Sequence, residues 1–168
     1  MRIVSGSHKR IRINAPKNLP VRPTTDMAKE GLFNIINNRY YFNQIRVLDL
    51  FSGTGNIAYE FASRGTKHIF CVDKNYNCVR FIKDTAQELN FNAIEIVQID
   101  SFKFLSNHNK VYDIIFADPP YEMSDLKELI TIVFEKKLLT QVGTLILEHS
   151  KEHDFSKQTF FIEKRRYG

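Results

Sequence analysis

No stretch of this sequence approaches the ~18 consecutive apolar residues of a membrane-spanning helix, so no membrane partner is expected. The first residues also lack the apolar core of a secretion signal, because Met1-Arg2-Ile3-Val4-Ser5-Gly6 runs straight into His8-Lys9-Arg10. Cys71 and Cys78 are too few for a disulfide framework and are expected to be reduced thiols in a cytoplasmic protein. The five histidines are scattered, and no metal is expected. Internal repeats and low-complexity tracts are absent as well. With 168 residues, 43% hydrophobic and 26% charged, the chain has the balance of one globular domain and no room for a large substrate domain. A monomer is expected.

Acidic residues are nearly missing from the first 46 positions. These hold Arg2, Lys9, Arg10, Arg12, Lys17, Arg22, Lys29, Arg39 and Arg46 against Asp26 and Glu30 only. Their net charge is +7 and that of residues 47–168 is −2, so the overall +5 belongs to the N-terminal quarter. A basic segment on a near-neutral body suits a polyanion, because Lys and Arg gain affinity by releasing counterions from phosphates. A solvated surface arm is the plain alternative.

From Arg46 onward, short apolar runs alternate with amphipathic patterns. Strands are expected at 46–51, 68–73, 95–100, 112–117 and 144–148, with a sixth at 159–164. Helices are expected at 56–64, 75–89, around 101–105 and at 126–134. Gly65 closes the first helix, and Pro119 and Pro120 stop the fourth strand. The alternation predicts an α/β, Rossmann-like fold: a mostly parallel sheet with helices on both faces. Upstream, residues 2–5 and 10–13 nearly alternate around Gly6-Ser7-His8, which predicts a small N-terminal β-hairpin. A loop bearing Pro16, Pro20 and Pro23 leads to Thr25 and a helix over 26–37.

In an open parallel sheet, ligands bind outside the carboxyl ends of the strands, where strand order reverses. The segment from Asp49 through Phe51, Gly53 and Gly55 to Asn56 lies between a strand and a helix. Its glycines let backbone approach a ligand and present N–H groups at a helix N-terminus. Asp73 ends the second strand, where a carboxylate can accept both ribose hydroxyls, and Lys74 follows it. Asp100, with Ser101, follows the third strand, placed for an adenine amino group. Three such features at consecutive strand ends predict a nucleoside cofactor, with Asp118 as a further contact. Taken alone, Gly53-x-Gly55-x-x-Ala58 also fits a dinucleotide turn, and both Asp73 and Asp100 could simply cap helices. No Lys-Ser/Thr pair follows the glycines, so a phosphate-cradling P-loop is excluded.

Asp118-Pro119-Pro120-Tyr121 decides between cofactors. Two prolines fix an extended turn that holds the Asp118 carboxylate and a proline carbonyl toward one spot, and the Tyr121 ring can stack on a planar base. An aromatic amine is a poor nucleophile because its lone pair is delocalised into the ring. Fixed acceptors for its N–H groups favour a pyramidal nitrogen with the lone pair aimed outward.

Phe51-Ser52-Gly53-Thr54-Gly55 together with Asp118-Pro119-Pro120-Tyr121 resembles the S-adenosylmethionine-dependent amino-methyltransferases. Arg22-Pro23-Thr24-Thr25-Asp26, Lys29-Glu30-Gly31-Leu32-Phe33-Asn34, Ser63-Arg64-Gly65 and Glu148-His149-Ser150 narrow this. Across essentially the whole chain they resemble the RsmD family, bacterial enzymes that methylate the N2 amine of one guanine in small-subunit (16S) ribosomal RNA. The resemblance implies a class I methyltransferase domain at residues 23–168 behind a basic arm at 1–22, with S-adenosyl-L-methionine as cofactor. Gly53 and Gly55 would line its methionine part, Asp73 its ribose and Asp100 its adenine. Asp118 to Tyr121 would hold a guanine flipped from its stack. Arg2, Lys9, Arg10, Arg12, Arg22, Thr24 and Lys29 would contact RNA, in free form or in the 30S particle. Met27 stands where the family usually carries arginine, and the family usually continues past Arg166-Tyr167-Gly168 with one more strand.

Four other readings compete. Methylation of adenine N6 in DNA or of a protein glutamine needs a target-recognition element that a short chain with only a basic N-terminus lacks. A nicotinamide dehydrogenase would leave Asp-Pro-Pro-Tyr unused. A non-catalytic RNA-binding protein with a Rossmann-like fold is the last.

Overall fold

The computed structural model describes residues 1–16, 19 and 25–166. Thr25 accepts the Ala28 N–H at 3.3 Å and so caps α1 (Asp26–Asn37). The chain then alternates β1 (Arg46–Asp49), α2 (Asn56–Ser63), β2 (His68–Asp73), α3 (Tyr76–Glu88), β3 (Ile94–Gln98), α4 (Ser101–Asn107), β4 (Tyr112–Ala117), α5 (Leu126–Glu135) and β5 (Leu139–Leu147). The five strands form one all-parallel sheet in the order β3-β2-β1-β4-β5. Strand order therefore reverses between β1 and β4.

The period-2 alternation of the strands assigns helices to both faces. Val47, Ile69, Cys71, Ile114 and Phe116 pack against Phe33 and Ile36 of α1 and Ile57, Ala58 and Phe61 of α2. The interleaved Leu48, Val72, Ile115 and Ala117 pack against Phe104 and Leu105 of α4 and Leu129 and Val133 of α5. A third cluster joins Ile3 and Ile13 of the N-terminal segment to Tyr59 of α2 and Ile82 and Ala86 of α3.

Two expectations need correction. Residues 159–164 form no strand: the Gln158 and Phe161 N–H groups bond locally to Phe155 and Gln158 carbonyls, and Phe160 stacks on Phe134 of α5 at 4.1 Å. A consecutive Phe-Phe-Ile run lacks the alternation that would give a strand one buried face. The regular part of β5 is Thr144–Leu147, but its pairing begins at Leu139 and slips between Tyr112 and Ile114, an irregularity with no pattern in the sequence. The expected N-terminal hairpin is present: around the antiparallel bridge of Arg2 with Arg12, Ile3 N–H donates to Ile11 O (2.9 Å), Arg10 N–H to Ile3 O (2.9 Å) and Ile13 N–H to Met1 O (3.0 Å), with Arg10 at φ 75° in its return.

That N-terminal segment is stapled to α2. Buried Glu60 accepts the N–H groups of Val4 (2.8 Å) and Ser5 (3.0 Å) and the Arg64 Nε–H (2.8 Å), while the Lys29 ammonium lies 3.7 Å away. One turn on, Ser7 N–H donates to the Ser63 carbonyl at 2.7 Å. Gly6, at φ +83°, passes so close that a Cβ there would lie 1.9 Å from Ser63 O. The arm thus runs down α2 from its N-terminus to its C-terminus and back. Arg64 completes the joint by lying over the Phe33 ring at 4.8 Å.

Candidate active site

Four carboxylates stand at the carboxyl ends of the strands. Asp49, Asp73, Asp118 and Glu148 each follow by two residues a side chain of the α1/α2 face (Val47, Cys71, Phe116 and Ile146), so alternation puts all four on that face. The β4–β5 ladder runs one step past the strands, with Glu148 N–H donating to Ala117 O at 2.8 Å. This brings Asp118 and Glu148 side by side next to the switch point.

Asp49 is only 1% exposed, and its Oδ1 has no hydrogen-bond partner. Burial, with the Asp73 and Asp118 charges adding, pushes its carboxyl up to about 8. Asp73 is raised by burial too, although its two oxygens accept the N–H groups of Gly53 (2.8 Å) and Asn75 (2.7 Å). Those bonds clamp the glycine turn onto the end of β2. Gly53 and Gly55 both have positive φ, 53° and 78°. At Gly55 a Cβ would stand 2.7 Å from the Tyr59 ring, so only glycine fits. Gly55 is also the N-cap of α2 and offers no side chain to its first N–H groups.

The fit of this end of the sheet to an aminoacyl nucleoside cofactor rests on these features. Uncapped N–H groups suit a carboxylate, the orphaned Asp49 oxygen suits an ammonium, and Asp73 retains acceptor capacity for hydroxyls.

Burial pushes the Asp118 carboxyl up to about 6, and burial, with the Asp118 charge adding, pushes that of Glu148 up to about 7. Neither carboxyl has a hydrogen bond or ion pair among the described residues. Met123 N–H closes the turn onto Pro120 O at 2.9 Å, and the carbonyl of buried Pro119 stays unbonded among the described residues. Tyr121 is 65% exposed, a ring with its face available.

Other expected contacts sit differently. Asp100 caps α4 by accepting the Phe102 and Lys103 N–H groups, both at 3.1 Å on Oδ1. The Ser101 hydroxyl donates to the Leu50 carbonyl, which commits it to fastening α4 to β1. Phe51 is half-buried and Lys74 exposed beside the glycine turn. Asn56 is buried and accepts from Lys29 Nζ at 2.7 Å.

Lys29 corrects the expectation of an RNA contact. It is fully buried, donating to Arg2 O and Asn56 Oδ1 beside Glu60, because α1 packs directly over the start of α2. Arg2 and Arg12 are bridged near that same end, where Arg2 also pairs with Asp26 at 3.2 Å. Lys9 stands exposed at the opposite end of α2, next to His8 on Ser63, and Arg10 is exposed on the return beside Ile3. Arg22 and Thr24 lie outside the described residues. His149 and His153 share a ligand-like spacing, but no third metal-binding side chain joins them among the described residues.

Sequence reading missed Glu60 and did not assign Glu148 a role. Glu60 reads as one more polar residue of an amphipathic helix. Glu148, the last residue of a predicted strand, had the same positional signal as Asp73.

A family model described as conserved hypothetical protein 95 matches residues 1–168. YlbH of Bacillus subtilis, named as an rRNA methyltransferase, is 34% identical over all of this chain and 94% of its own length. Ribosomal RNA small subunit methyltransferase D of Buchnera aphidicola is 30% identical over 88% of this chain and 75% of its own. A solved structure of Escherichia coli yhhF, described as a methyltransferase, superposes with a TM-score of 0.80 over 89% of this chain and 80% of its own, at 24% identity. The shared fold is the Rossmann-like class I methyltransferase fold. Among the described residues no helix is long and apolar enough to cross a membrane.

Proposed function

The chain belongs to the conserved hypothetical protein 95 family, the RsmD family of methyltransferases, and on that premise we propose that it methylates the exocyclic N2 amine of a guanine in small-subunit ribosomal RNA. With that substrate it would work in the cytoplasm. The observation that carries the reading is Asp118: at the switch point, a half-buried carboxylate with no cation paired to it among the described residues, beside a proline carbonyl unbonded among them and an exposed tyrosine ring.

S-adenosylmethionine, when bound, supplies a methyl group on a cationic sulfur. The first turn of α2 and Asp49 would hold its amino-acid part, and Asp73 its ribose. Asp118 and the Pro119 carbonyl accept the two N–H groups of the target amine and turn its lone pair away from the ring. Tyr121 stacks on the base and fixes its plane. As the nitrogen gains its methyl group it loses a proton, and Asp118, raised toward neutrality, can receive it. Arg2, Arg12, Lys9 and Arg10 form a basic track along α2 for phosphates, and Arg22 and Thr24 would extend it.

The test is methyl incorporation from labelled S-adenosylmethionine into unmethylated 16S ribosomal RNA, 30S particles and DNA, with nucleoside analysis of the product. N2-methylguanosine in ribosomal RNA is the expected product. N6-methyladenine, or no RNA product, refutes the reading.

A further inference from the structure

Glu148 is a half-buried carboxylate at the end of an edge strand, with no hydrogen bond or ion pair among the described residues. Two residues on, the Ser150 hydroxyl is also buried and unpartnered. Two carboxylates that serve the fold are occupied: Glu60 accepts three N–H groups and Asp100 two. A carboxylate out of water with no donors is costly, and its upward displacement to about 7 registers that cost. The β4–β5 register fixes it beside Asp118, the acceptor for the reacting amine.

Guanine is the RNA base whose Watson–Crick edge carries two adjacent donors, N1–H and the N2 amine. A single carboxylate can accept both N–H groups side by side. Adenine presents a bare N1 acceptor at the same place, which a carboxylate repels. We propose that Glu148 is the specificity-determining residue of the methyl-transfer site, accepting the guanine N1–H beside the N2 amine that Asp118 holds. The inference rests on the function proposed above and adds to it the group that reads the base.

The position separates this role from a structural one. The Glu148 side chain has no hydrogen bond or ion pair among the described residues, so Glu148→Gln removes none there. It keeps one acceptor oxygen for N1–H but loses the charge and the second oxygen, and gains an N–H₂ that can meet a bare N1. The side chain lies beside Asp118, and no ion pair ties it to the cations of the N-terminal arm among the described residues.

The experiment compares wild type and Glu148→Gln on 30S particles reconstituted with splint-ligated 16S RNA. The methylated position carries either guanine or 2-aminopurine, which keeps the C2 amine but has a bare N1. Wild type should prefer guanine, and Glu148→Gln should lose roughly 10- to 100-fold in kcat/KM on guanine, the usual worth of a paired base contact. On 2-aminopurine the variant should equal or exceed wild type, because the glutamine amide can donate to N1. S-adenosylmethionine affinity should be unchanged. Equal losses on both bases, or no loss on guanine, overturn the base-reading role while the function stands. No N2-methylguanosine from the wild-type enzyme refutes the function itself, and the base-reading role with it.

Discussion

Replacing Glu60 with alanine should unstitch the N-terminal arm from α2. The substitution deletes the acceptor for the Val4, Ser5 and Arg64 donors and leaves the fully buried Lys29 ammonium without its counter-charge. Removing one partner of a buried pair costs about 3–5 kcal/mol, a third or more of a typical domain's stability. For a chain of this size that is a fall in melting temperature of roughly 6–20 °C. The assay is urea unfolding followed by far-ultraviolet circular dichroism, with the midpoint compared at constant slope. Adding Lys29→Met to Glu60→Ala removes the stranded charge, so the double variant should be less destabilised than the sum of the singles by over ~1 kcal/mol. The pH dependence has a definite sign. Burial already holds Lys29 below its ordinary 10.5, with Glu60 the main opposing influence, and without Glu60 it falls further. Below that lowered value the folded and unfolded chains are both protonated, and the full penalty applies. As pH rises past it, the folded chain sheds the proton first and the penalty fades. The gap between Glu60→Ala and wild type should therefore narrow as pH rises toward the ordinary lysine value of 10.5. A cost under ~1 kcal/mol, additive variants or a widening gap would each refute the account.

Asp118→Ala should leave S-adenosylmethionine affinity within a few-fold while lowering the single-turnover methylation rate by about 10²–10³-fold, as loss of one oriented contact does; retained turnover counts against the amine-holding role. The raised carboxyls of Asp49 (about 8), Glu148 (about 7) and Asp118 (about 6) weaken the free protein as pH climbs from about 4 to 8, since the folded state must give up protons it holds more tightly than the unfolded state. A cationic cofactor relieves this, so calorimetry at pH 7 in buffers of different ionisation enthalpy should register proton release on binding, and buffer-independent heats would contradict it. Gly6→Ala, whose Cβ would meet Ser63 O at 1.9 Å, should cost about 1–3 kcal/mol and weaken RNA binding without weakening cofactor binding. A variant with full RNA affinity would show that the arm needs no docking on α2.

The Rossmann-like core was legible because its strands and helices carry different hydrophobic periods, and Thr25, Asn75 and Gly65 mark helix ends by their own chemistry. Asp49, Asp73 and Asp118 were legible because strand-end acids need only a boundary to be placed. Lys29 misled for the opposite reason: a lysine in a basic stretch reads as surface, and only the arm folding back over α1 and α2 buries it. Such an arrangement depends on contacts 27 or more residues apart, which no local pattern encodes. The apolar run at 159–164 failed likewise, since a strand exists only with a neighbour to pair with.

Helix α2 does more than fill a face of the sheet. Its eight residues separate the glycine turn from Ser63 by about 12 Å at ~1.5 Å per residue, and the arm lays Arg2 and Arg12 toward one end and the His8-Lys9 turn at the other. On the proposed reading this spacing is a gauge. It corresponds to roughly three to four nucleotides of stacked strand at ~3.4 Å each. A target base can gain the grip of both ends only if it arrives on a strand at least that long, so a lone nucleoside is a poor substrate by geometry, whatever its chemistry.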